Sequence, residues 1–99
     1  MSEIQNNVAQ PLNLVALARA NPKGSAVPGT RLEAIIVEQE AMHELPSTIW
    51  LMVIQGELII DLPYGDFRLL KKGDSLHLEK GTKVSFEPLK EVVALRQVA

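Results

Sequence analysis

Cysteine is absent from this chain. Its absence excludes disulfides, thiolate catalysis and cysteine-ligated zinc. An excess of positive charge is absent too: the net charge is −2 and the sequence pI about 5.6. The phosphate backbone of a nucleic acid demands a basic footprint, so nucleic acid is excluded as the expected partner. Lys71-Lys72 is the only adjacent basic pair, and a solvated turn accounts for it. No long apolar run occurs. The longest, "IWLMVI" from Ile49 to Ile54, falls far short of the roughly 20 residues that a membrane-spanning helix needs. The start, "MSEIQNNVAQ", has no positively charged segment leading into an apolar core, as a secretory signal would. The expectation is a soluble cytoplasmic protein with no membrane contact.

What is present fits one packed domain. The chain has 99 residues, of which 46% are hydrophobic. A domain of this size buries roughly two-thirds of the surface of its extended chain, enough for a single core. Residues 1–11 are polar and read as frayed. "NLVALARA", Asn13 to Ala20, reads as a short helix capped by Asn13, with Leu14, Leu17 and Ala18 on one face. Pro22 disfavours helical geometry at Asn21 and ends it. "NPKGSAVPGT" is a loop. Residues 1–30 are thus expected to form a tail with a helix and a loop, and 31–99 the main domain.

From Arg31 onward β-branched and aliphatic residues dominate, and turn signals recur at short intervals. Turns are expected at Leu45-Pro46-Ser47, Gln55-Gly56, Pro63-Tyr64-Gly65-Asp66, Lys72-Gly73-Asp74, Lys80-Gly81-Thr82 and Pro88-Leu89-Lys90. Between them lie short strands near 31–38, 41–45, 49–54, 57–62, 66–71, 75–79, 83–87 and 91–98. Such spacing indicates an all-β antiparallel sandwich or small barrel. Alternation then assigns faces. Leu58, Ile60 and Leu62 oppose Glu57 and Asp61. Leu76 and Leu78 oppose Ser75 and His77. Val84 and Phe86 oppose Lys83, Ser85 and Glu87. "IWLMVI" is apolar on both faces, with Ile49, Leu51 and Val53 on one and Trp50, Met52 and Ile54 on the other. A strand of that kind must be covered on both sides.

Two segments, "HELPSTIWLMVIQGEL" and "GDSLHLEKGTKVSF", resemble the paired motifs of the cupins, here a small single-domain member of the RmlC-like cupin superfamily. The first cupin motif has a His-x-His pair, a Glu a few residues on, and then a Gly. The second opens on Gly-Asp and continues through a strand to Pro-x-Gly and a later His. Gly56 holds the glycine of the first motif. Gly73-Asp74 opens the second, and Gly81 holds its later glycine. The resemblance covers roughly Arg31 to Val98. It implies an antiparallel β-barrel of the double-stranded β-helix or jelly-roll type, preceded by the short helix.

The departures from that pattern bear on function. The four cupin metal-ligand positions map onto His43, Leu45, Ile49 and Val84, and Glu79 stands where the motif's proline belongs. A divalent ion needs several N or O donors converging on it. One imidazole and three aliphatic side chains do not supply them, so no metal or other cofactor is expected. The expected interior set is His43, Leu45, Ile49, Leu51, Val84 and Phe86, which would suit a small, partly apolar ligand. Trp50, Met52 and Ile54, on the outer face, are the expected interface of a homodimer. Glu38 and Glu40 read as a charged strand face, and His77 as a surface or interface residue. The leading functional expectation is a metal-free cupin that binds a ligand or serves as an interaction module. Two alternatives stay open: a metal-independent isomerase or epimerase using His43 as its base, and a divalent-metal cupin with unusual ligands.

Overall fold

A computed structural model describes residues 10–99. Apart from residues 10 and 11, the start expected to be frayed lies outside these residues. The elements in chain order are helix α1 (Leu14–Ala20) and strands β1 (Ser25–Ala26), β2 (Glu33–Ile36), β3 (Glu40–Glu44), β4 (Ile49–Asp61), β5 (Phe67–Leu70), β6 (Ser75–Leu78) and β7 (Lys83–Val98). Every strand pairing is antiparallel. The helix begins as its sequence requires: the Asn13 side chain accepts a hydrogen bond from the Ala16 N–H at 3.0 Å.

Two of the expected turns are not turns. β4 runs unbroken through Gln55-Gly56, and β7 runs unbroken through Pro88-Leu89-Lys90. β4 pairs with β7 from Ser85 to Val98, and bulges let the two strands bend together. The register slips between Val53 and Gln55 and again between Gln55 and Glu57. Gly56 has φ 85° and Lys90 φ 63°, left-handed conformations that mark the bend on each strand. A local turn signal and a bulge in a paired strand use the same residue types, so sequence alone read four short strands where there are two long ones. A two-residue strand, β1, also falls within the stretch read as loop, where it pairs with β2.

The bend divides the strands into two facing layers. In one, β2, the C-terminal half of β7, the N-terminal half of β4, and β6 lie side by side. In the other, β3, the N-terminal half of β7, the C-terminal half of β4, and β5 do so. The sheet does not close into a continuous barrel. Between the layers lies the main core, which includes Leu51, Val53, Leu58, Ile60, Val84 and Val92, each no more than 2% exposed. A second cluster forms on the outside of the first layer. There α1 packs over β1 and β2, and Ala18 meets Ala34, Val93 and Leu95.

One polar network ties the helix to the sheet. Arg19 on α1 donates to both carboxylate oxygens of Glu91 on β7, at 2.6 and 3.1 Å, and the Gln55 side-chain amide donates to the same carboxylate at 2.8 Å. The hydrogen bond from Arg19 holds the Glu91 carboxyl below its ordinary range, and the same contact raises Arg19. A carboxylate with a depressed folded pKa stabilises the fold above its unfolded pKa. That contribution is lost as pH falls through the folded value. Glu91→Gln is therefore expected to lower Tm slightly at neutral pH, the pair being exposed and screened. In thermal melts against pH, the gap between variant and wild type should close below the ordinary carboxylate range; a gap constant with pH would show that the ion pair contributes nothing.

Candidate functional site

The two layers leave a cavity of ≈ 430 Å³ at one end of the core. Five of the six residues expected to face the interior line it: His43, Leu45, Ile49, Leu51 and Phe86. The sixth, Val84, is fully buried in the core and does not reach the lining. Leu45, Leu51 and Phe86 are at most 8% exposed, so the floor is apolar and packed into the core. Ile49 is partly buried against it.

His43 and Glu40 are the polar residues of β3 at the cavity. The His43 Nδ1 lies 2.9 Å from the Ala41 carbonyl oxygen, its Nε2 lies 3.3 Å from a Glu40 carboxylate oxygen, and its ring sits 6.1 Å from that of Phe86. A carbonyl oxygen only accepts, so Nδ1 carries a proton and donates. In the neutral ring Nε2 then holds the lone pair, and a full ion pair with Glu40 needs the imidazolium. Glu40 and His43 are three positions apart, and strict alternation would put them on opposite faces. The register of β3 against β7 shifts between them, and this bulge brings both to the cavity. Sequence reasoning read Glu40 as part of a charged strand face, and it is exposed; its contact with His43 follows only from that shift.

The opposite side of the cavity was not expected at all. Arg96, on β7, pairs directly with Leu51 on β4, so it shares the interior face with that core residue. It donates from Nε and Nη2 to one Glu33 oxygen at 3.3 and 2.9 Å, and from Nη2 to the Lys23 carbonyl at 3.0 Å. Lys23 itself also lines the cavity. The segment "VVALRQV" is apolar on both parities up to Leu95, so alternation could not tell which side Arg96 takes.

The donors do not suit a metal ion. Of the four mapped ligand positions only His43 offers an electron pair, and Leu45, Ile49 and Val84 are packed as core. Among the described residues no three His, Cys, Asp or Glu side chains converge as a metal site would require.

No protein-family model matches the sequence, and no curated protein does. Solved structures do match. A cupin-2 domain protein of Shewanella frigidimarina superposes with a TM-score of 0.64 at 13% identity, over 99% of this chain and 91% of that one. An RmlC-like cupin of Methanocaldococcus jannaschii, described as a double-stranded β-helix, gives 0.57 at 14% identity over 76% of this chain and 87% of that one. The chain has the cupin fold. A further protein, from Neisseria meningitidis, gives 0.67 at 14% identity and is covered over its full length, with 91% of this chain matched. At such identities the likeness speaks for the cupin fold alone.

The outer-face residues of this protein sit differently from the interior set. Trp50, Met52 and Ile54 are each half-buried, at the edge of the cluster beneath α1. Trp50 pairs with His77 on one side and Gln97 on the other, and all three line a shallow outer depression. His77 is exposed. Among the described residues no helix is long and apolar enough to cross a membrane.

Proposed function

We propose that this protein is a metal-independent cupin that binds a small, mostly apolar molecule between its two layers. The observation that supports it is the cavity itself. Core side chains make its floor apolar, and polar groups, Arg96, His43 and Glu40 among them, stand at its sides, a combination that suits a small-molecule site. Purified untagged protein should carry well below one equivalent of Fe, Mn, Ni, Cu or Zn, and EDTA should leave its Tm unchanged. In the same melts, apolar compounds with one hydrogen-bonding group should raise Tm. Stoichiometric metal with a chelator-sensitive fold, or stabilisation only by sugars and phosphates, would overturn the proposal.

The contact between His43 and Glu40 favours a second reading. An imidazole whose Nδ1 proton is tied to a backbone carbonyl presents Nε2 as a base, and Glu40 would steady the imidazolium once a proton is taken. This would be an acid–base enzyme of the isomerase or epimerase type. For the assembly we propose a homodimer formed through the outer face that carries Trp50, Met52 and Ile54.

A further inference from the structure

We propose that the ligand is an anion: a carboxylate on an apolar body, with its charge held by Arg96 and Lys23. This rests on the reading of the cavity as a ligand site. An arginine on the interior face of a sheet is costly unless something is gained from it. Here the guanidinium stands in the same row as Leu51, with its side chain only 26% exposed. Glu33 and the Lys23 carbonyl fix it through Nε and Nη2. Among the described residues no protein group accepts from Nη1, and none accepts from the Lys23 ammonium. Arg96 and Lys23, both lining residues, thus bring two positive side chains against the single carboxylate of Glu33 that partners Arg96.

A guanidinium held in one orientation has already lost its rotamer freedom. A carboxylate that meets its open N–H gains a charge-assisted bond without that ordering cost. The far side of the cavity carries the opposite sign. Glu40 lies there beside His43, and Glu38 is a further carboxylate of the lining. An amphipathic acid is thus oriented, with its charge towards Arg96 and Lys23 and its chain over Leu45, Ile49, Leu51 and Phe86. An equally apolar amine would be drawn to the other side.

Calorimetric titration with octanoate, n-octanol and octylamine tests this, because the three share one chain and differ in the head group. Octanoate should bind at least about tenfold more tightly than n-octanol, and octylamine more weakly than octanoate. The advantage of the acid over the alcohol should vanish in Arg96→Gln and shrink in Lys23→Ala. Circular dichroism checks that both variants keep their β signal. Should Arg96→Gln not fold, the wild-type ratio and Lys23→Ala decide. Equal affinity for octanoate and n-octanol would overturn the anion assignment and leave the apolar site standing. Tightest binding of octylamine would also overturn it, and would place the head group at Glu38 and Glu40. If none of the three binds, the ligand-site reading fails and this inference with it.

Discussion

Gly56→Ala should be among the most damaging single substitutions in this protein. Gly56 has φ 85°, which an L side chain adopts only at a cost. A Cβ there would also collide with the carbonyl oxygen of Glu91, and would stand 3.1 Å from a Val92 methyl. The oxygen belongs to the backbone of the paired strand, so it cannot swing away as a flexible side chain would. The strained conformation costs on the order of 1–3 kcal/mol, and overpacking adds about as much again. For a domain of this size that amounts to a fall in Tm of at least about 10 °C. Gly29, also at positive φ, has no atom within 4 Å of its Cβ position. Gly29→Ala meets the conformational cost without the collision and should fall well short of Gly56→Ala. Comparable melts for the two variants would refute the argument from crowding at the bend.

Trp50→Glu should move the protein from dimer to monomer in light scattering, with the β signal kept. The physical reason is an incomplete cover. α1 lies over β1 and β2. β7 stands between β2 and β4, which leaves Trp50 on β4 half-buried. Burying one large apolar side chain is worth roughly 1.5–3 kcal/mol, and a second copy is the proposed means of gaining the remainder. A carboxylate placed there would lose that gain and bring a desolvation cost. A wild-type protein that stays monomeric across micromolar concentrations would sink the dimer. Outright unfolding of Trp50→Glu would assign the residue to the cluster under α1.

Much of the fold was legible because it is local or periodic. Asn13 before an apolar stripe gives a capped helix, and alternation in "GELIIDL" and "KVSF" gives strands with one face in the core. The two apolar faces of "IWLMVI" required two covers, and the structure supplies the interior and, over part of the other face, the cluster under α1. That Leu45, Ile49 and Val84 offer no electron pair is likewise a property of the side chains themselves, wherever they sit. The bends were not legible. Gly56 in a turn and Gly56 in a bulge look alike in one dimension, and only the pairing of β4 with β7 distinguishes them. The polar half of the cavity was hidden for the same reason. Glu40 reaches His43 through a bulge that reverses parity, and Arg96 faces inward because it pairs with Leu51. The types of side chain available to the site are a property of the sequence. Which of them meet was decided by register between strands tens of residues apart, a long-range quantity that no local pattern encodes.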